Sequence, residues 1–194
     1  GCHGTTEYLL DSNGNEREQA NYCYVPSTWA ENIVEQAEKD GLRLSYHTPY
    51  RLNIHRDEFC KLAWQTIQTV NPNINLPELA QPFSDCDEDI VRQIAALGIV
   101  TGYEDGTFQP TRELSRQEAA VILQRLYTVL YGKIEASPTL YADNGSIGAW
   151  AKDSVYAMRQ TGIMQGVGAN RFDPKNGYTC EQSIITMLRM TQKA

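Results

Sequence analysis

Apolar residues recur at helical spacing in three places along the chain. Trp29, Ile33, Val34 and Ala37 are followed by Gly41-Leu42, Cys86, Ile90, Val91 and Ile94 by Gly98-Ile99, and Trp150, Ser154, Val155 and Met158 by Gly162-Ile163. The register is the same each time: offsets 0, 4, 5 and 8, then glycine at 12 and an aliphatic at 13. Those offsets share one face of an α-helix, which places Trp29 and Trp150 at the start of a buried stripe. The glycine beyond the stripe predicts a left-handed residue closing the helix. The aliphatic after it predicts a contact folded back onto the last turn, as in a Schellman motif.

A second helix is predicted after each of these. Ser115-Arg116-Gln117-Glu118 and Thr179-Cys180-Glu181-Gln182 have the form of a capping box, in which the first side chain accepts from the fourth amide and the fourth side chain reaches back. His55-Arg56-Asp57-Glu58 keeps only the Glu58 half. The stripe that follows is clearest at Ala119, Ile122, Leu123, Leu126, Tyr127 and Leu130. Phe59, Leu62, Ala63, Ile67 and Val70 repeat it, and Ile184, Met187, Leu188 and Thr191 give a weaker version.

Between the two helices of units two and three lies a turn-rich loop. It runs from Thr101 to Pro110 and from Gln165 to Pro174, with Gly102, Gly106, Gly166 and Gly168 as turn formers and Phe108 and Phe172 as core plugs. The first unit is shorter here and lacks those glycines over residues 43–53. Residues 71–82, with three prolines, and 132–139 read as connectors. The domain reading is therefore an N-terminal extension or tail of an upstream domain (1–23), then units at 24–70, 83–131 and 141–194. Asp11-Ser12-Asn13-Gly14 marks a turn, suited to a hairpin, within the extension. One helix pair cannot bury its apolar face alone, so the three are expected to close into one mainly α domain with six principal helices.

Composition narrows the functions. The chain has 194 residues, 41% of them apolar, which is enough for a real core. The formal charge of -7 argues against a nucleic-acid partner, and no apolar run approaches the roughly 20 residues of a membrane span. The charge is uneven: residues 24–70 hold five bases and six acids, 83–131 four and eight, and 141–194 six and four. The third unit is thus the least repulsive to a polyanion. Cys60, Cys86 and Cys180 fall inside amphipathic stretches and read as small buried hydrophobes, whereas Cys2 and Cys23 flank a polar segment and are free to pair. Asp85-x-Asp87-x-Asp89 lacks the glycine and the glutamate of a calcium loop, and His3, His47 and His55 show no ligand spacing. No metal, cofactor or catalytic site is indicated.

Taken together, Phe83-Ser84-Asp85, Gly98-Ile99, Gly102-Tyr103-Glu104-Asp105-Gly106-Thr107-Phe108-Gln109-Pro110 and the Ser115-Arg116-Gln117-Glu118 box resemble the S-layer homology family. Unit three matches through Tyr141-Ala142-Asp143, Trp150, Gly162-Ile163 and Phe172-Asp173-Pro174. Unit one retains Trp29, Gly41 and Arg56-Asp57-Glu58. The resemblance implies three tandem repeats, the first degenerate, clustered in a pseudo-threefold helical bundle. It implies an exported module, at the cell wall or S-layer, that binds secondary cell-wall polysaccharide through a pyruvate ketal in grooves between repeats. Neither catalysis nor membrane insertion is expected of it, and it should be monomeric or weakly self-associating. The sites it implies are Arg116, Arg56, Trp29, Trp150, Asp85, Asp143, Gly102 and Tyr103.

Residue chemistry makes a parallel case. An arginine at the first helical position lies beside the free amides of a positive helix end, and both favour an anion. Trp29, Trp150 and Tyr103 can offer an apolar face to a sugar ring, although the stripe reads the tryptophans first as core. Asp85 and Asp143 have a simpler reading as residues that shape the turn before the first helix. Cys180 replaces the box arginine in unit three, so boxes one and two are the expected anion sites. The alternative is a protein–protein interaction or assembly module that keeps the fold and has lost glycan binding.

Overall fold

The computed structural model describes residues 24–44 and 48–193, together with the backbone of two short strands nearer the N-terminus. Strands β1 (Tyr8–Leu10) and β2 (Glu16–Glu18) pair antiparallel on either side of the expected turn. That turn, Cys2, Cys23, His3 and His47 lie outside the described residues. Six α-helices follow among the described residues, two per unit. These are α1 (Glu31–Lys39) and α2 (Arg56–Val70), α3 (Asp89–Ala96) and α4 (Arg116–Tyr131), and α5 (Lys152–Gln160) and α6 (Cys180–Thr191). No helix among them is long and apolar enough to cross a membrane.

The local signals act as read. Gly41, Gly98 and Gly162 have φ of +88°, +73° and +73°, a region costly for any residue with a Cβ. The amides of Leu42 and Ile99 then donate back to Ala37 and Ile94 carbonyls at 2.9 and 3.1 Å, the long bond of the Schellman motif. Leu42, Ile99 and Ile163 are fully buried. Ser115 N–H donates to Glu118 Oε2 at 2.8 Å, and the Glu118 amide donates to Ser115 Oγ at 3.4 Å. Thr179 and Gln182 repeat this exchange, and His55 N–H donates to Glu58 Oε2 at 3.1 Å.

The three units close around a ring of backbone hydrogen bonds. In each unit the residue just before the N-cap of the second helix donates to its counterpart in another unit. Ile54 N–H donates to Tyr178 O at 2.8 Å, Tyr178 N–H to Leu114 O at 2.9 Å, and Leu114 N–H to Ile54 O at 3.2 Å. The next two amides, at helical positions N1 and N2, also cross between units. Arg56 and Asp57 donate to Arg112 O and Pro110 O, Arg116 and Gln117 to Asn176 O and Pro174 O, and Cys180 and Glu181 to Leu52 O and Tyr50 O. All these bonds are 2.9–3.1 Å long. The first unit's short loop thus presents its carbonyls as the longer loops do, with none of their glycines.

Phe59, Phe108, Phe172, Tyr178, Leu62, Ile94 and Leu123 fill the interior behind this ring. Cys60, Cys86 and Cys180 are free and buried, as expected. Phe108 and Phe172 are the anticipated plugs, with no exposed surface. Phe108→Ala should lower unfolding stability by about 3–5 kcal/mol in urea titrations. Ser115→Ala, which removes one cap, should cost only about 1 kcal/mol.

Candidate functional site

The second helices point their N-termini at the ring, so their first side chains fall at the seams between units. Arg116 is 4% exposed. Its Nε donates to Phe172 O at 2.8 Å, Nη2 to Gln165 O at 2.8 Å and Nη1 to Gln182 Oε1 at 3.3 Å. Arg56, 8% exposed, donates Nε to Phe108 O at 2.9 Å and Nη2 to Thr101 O at 3.0 Å. Its Nη1 has no acceptor among the described residues. Each guanidinium also lies over the phenylalanine of the loop it grips, at 5.1 Å for Arg116 and 4.5 Å for Arg56. Neither is in an ion pair with a described residue; burial holds Arg116 below its ordinary pKa, with the nearby ionisable groups working the other way.

This corrects one physical expectation. The N1 and N2 amides beside these arginines are not free for an anion, because loop carbonyls of the next unit occupy them. The arginines tie one unit to the next, and only their outer edges reach the surface.

Two cavities open at two seams, built alike. The larger, about 410 Å³, is walled by Arg116 of unit two, Gln165 and Gly166 from the loop of unit three, Gln182 and Arg189 from α6, and Trp29 from unit one. The smaller, about 100 Å³, has Arg56 of unit one, Thr101 from unit two, Glu118 and Arg125 from α4, and Trp150 from unit three. Residues correspond one for one: the N1 arginine, the N3 capping residue, the N10 arginine, and a tryptophan from the remaining unit.

Trp29 and Trp150 are 59% and 61% exposed, so the core reading does not hold for them. Both precede the regular helices, Trp29 before α1 and Trp150 in a 3₁₀ turn before α5, so the helical stripe does not govern where they point. The N2 side chains of the second helices hold these tryptophan-bearing turns in place. Ser27 donates from its amide and hydroxyl to Glu181, both at 2.8 Å, and Gly148 N–H donates to Gln117 Oε1 at 2.9 Å. Gly148 must be small, since a Cβ there would lie 2.6 Å from Trp150 Nε1.

The sequence reading missed Arg125 and Arg189, each nine residues beyond the N1 position of its helix. Arg125 makes no hydrogen bond or ion pair with the described residues, and Arg189 makes one long bond, 3.3 Å, to Ile163 O. The signal was present as the same residue type at the same register in two units.

The remaining candidates stand away from the cavities. Asp85 accepts from the amides of Phe108 and Gln109 at 2.7 and 2.8 Å, and Asp143 from those of Phe172 and Asp173 at 2.9 and 2.8 Å. These carboxylates clamp their own unit's loop, including Gln109 and Asp173, which have φ of 56° and 59°. Gly102 is a packing glycine, where a Cβ would lie 2.6 Å from the Phe83 ring. Tyr103 lies between the guanidinium groups of Arg56, 5.0 Å away, and Arg112, 5.4 Å away, and supports the former.

The third seam differs. Cys180 stands where the other seams have arginine and Cys86 where they have tryptophan. Burial pushes the Cys180 thiol up to about 12. Lys61, at N6 of α2, pairs with Asp57 at 3.1 Å and Glu88 at 3.5 Å, and Gln65, at N10, exchanges hydrogen bonds with the Arg43 backbone.

The model of the S-layer homology domain matches residues 84–120 and 140–177, and the helical architecture is of that type. The chain is 33% identical over 100 residues to an S-layer protein of Bacillus thuringiensis subsp. finitimus, covering 52% of this chain and 12% of that protein. It is 32% identical over 107 residues to an endoglucanase of Bacillus sp. (strain KSM-635), covering 53% and 11%. An amylopullulanase of Thermoanaerobacterium thermosulfurigenes is 23% identical over 182 residues, covering 88% of this chain and 9% of its own length. The chain therefore spans about a tenth of the curated relatives it matches. These matches indicate a cell-surface, cell-wall-associated module.

Two predictions follow from the geometry. Arg116→Ala leaves three acceptors unpaired and should destabilise the fold by about 2–3 kcal/mol, whereas Arg189→Ala should be close to neutral; denaturant midpoints measure both. Asp85 lies below its ordinary pKa chiefly because the Phe108 amide donates to it. For Asp143, burial works upward but the Phe172 and Asp173 amides outweigh it. The folded values are depressed, so the stabilisation is present above about pH 4 and is lost as pH falls through the folded values. The double variant D85N/D143N should show a shallower loss of stability between about pH 5 and pH 2.

Proposed function

We propose that the chain is the non-covalent cell-wall anchoring module of a larger surface protein, with residues 24–70 as a degenerate first repeat beside those at 83–131 and 141–194. Its ligand is an anionic secondary cell-wall polysaccharide, probed as the pyruvylated form. The observation that carries this reading is the matched pair of seam cavities, each joining an exposed tryptophan to an arginine with open donors. An aromatic face suits the apolar side of a sugar ring, and a planar guanidinium suits a ketal carboxylate. Arg125 and Arg189 provide the main cationic contact, with Nη1 of Arg56 and the outer edge of Arg116 beside them. Asp85, Asp143, Gly102 and Tyr103 act by holding the loops and Arg56 in place.

Each charge-assisted hydrogen bond contributes roughly 1.5–3 kcal/mol net, so one cavity binds weakly. Two cavities on one polymer gain from effective concentration, and neither needs to bind tightly alone. The formal charge of -7 does not oppose this, since exposed charges beyond a Debye length of about 8 Å are largely screened.

Sedimentation or column retention with purified wall polysaccharide, native and stripped of ketal groups, tests the proposal. The native polymer should be retained and the stripped one lost. Trp29→Ala with Trp150→Ala should reduce retention at least tenfold without unfolding, and Arg125→Ala with Arg189→Ala should do the same. Retention unchanged in both double variants would overturn the site. No retention of either polymer would leave the assembly-module reading.

A further inference from the structure

Unit three carries a second cavity, of about 550 Å³, on its own flank. Its walls include Tyr141, Arg159, Gly162, Asn170 and Arg171, and it shares Gln165 and Gly166 with the larger seam cavity.

Two arginines line the cavity. Arg159 stacks with its guanidinium carbon 4.6 Å from the Tyr141 ring centroid and makes no hydrogen bond or ion pair with the described residues. Stacking fixes the group and leaves its donor edges open. Arg171 forms ion pairs with Asp143 and Asp173, both at 3.8 Å and so longer than a hydrogen bond, and the Asp143 carboxylate is already held by two backbone amides. Lys193 Nζ lies 4.0 Å from where a Cβ on Gly162 would sit, and no described acid pairs with it. The buried Tyr141 hydroxyl has no hydrogen-bond partner among the described residues.

Unit two lacks these cations at the same register. Phe83, Ala95, Thr107 and Val129 stand where unit three has Tyr141, Arg159, Arg171 and Lys193. The site is therefore not a requirement of the fold. It also accounts for where the excess of bases in residues 141–194 gathers.

We infer that this cavity is an oxyanion pocket of unit three, taking a carboxylate or phosphate carried on a sugar. Its volume lies within the range of roughly 300–1,000 Å³ typical of small-molecule sites. Occupation by a residue of the same polymer that fills the seam cavity rests on the anchoring reading above. Binding of the oxyanion itself does not.

Titration of the ¹⁵N-labelled 194-residue chain with glucose 6-phosphate, glucuronate and glucose, followed by amide shifts, tests it. The Gly162, Gly166 and Gly168 amides should move with one or both anions and not with glucose. A response to one anion alone identifies the preferred group. The variant R159A/R171T, which writes the unit-two residues into exposed positions of unit three, should weaken binding at least tenfold. Arg189→Ala, in the neighbouring cavity, should leave it within about twofold. No shift with either anion, equal shifts with glucose, or unchanged affinity in R159A/R171T would overturn the pocket, as would an equal loss in Arg189→Ala. Anion binding that persists while wall polysaccharide fails to be retained would keep the pocket and remove the anchoring reading.

Discussion

The fold depends on a constraint that every helix meets: its first amides have no partner within the helix. Here each second helix finds those partners in another unit. The ring through Ile54, Tyr178 and Leu114 runs from unit one to three to two, the six N1 and N2 amides around it run the opposite way, and together they satisfy three helix ends at once. A buried amide without an acceptor costs about as much as a lost hydrogen bond, so no unit can leave the ring without exposing two others. Three hairpins, each too small for a core of its own, thereby become one cooperative domain.

The same arrangement explains the role of the box arginines. A side chain at N1 leaves the helix just where the next unit's loop arrives with its carbonyls. Arginine carries five donors in a planar fork, and Arg116 directs three of them at that loop and at Gln182. Its charge is shared among neutral acceptors, a stable arrangement for a cation that is not paired with a buried acid. Farther along the second helices, Arg125 and Arg189 line the seam cavities with donors to offer.

Much of the architecture was legible from spacing. Glycine at a fixed offset, capping boxes and helical stripes are local signals, and they located the helices, the plugs Phe108 and Phe172, and the buried cysteines. What spacing does not carry is contact between units. The reading of free terminal amides failed because the acceptors lie about 55 to 130 residues away, in loops whose own sequences differ. Trp29 and Trp150 were assigned to the core by a period of 3.6 that holds only inside a regular helix, and both precede one. Asp85 and Asp143 fit the simpler reading, that they shape a turn, but the turn they shape is the loop more than twenty residues on.

The third seam gathers the departures from the pattern of the other two. Unit one lacks the loop motif of the other two, yet it supplies Arg56 and Trp29, and each lines a different cavity. Its altered loop borders the seam where unit two supplies Cys86 and unit three supplies Cys180. Differences scattered over three stretches of chain thus converge on one place in space. The departures mark an interface and not a unit, and a count of intact motifs understates how many seams keep the full arrangement.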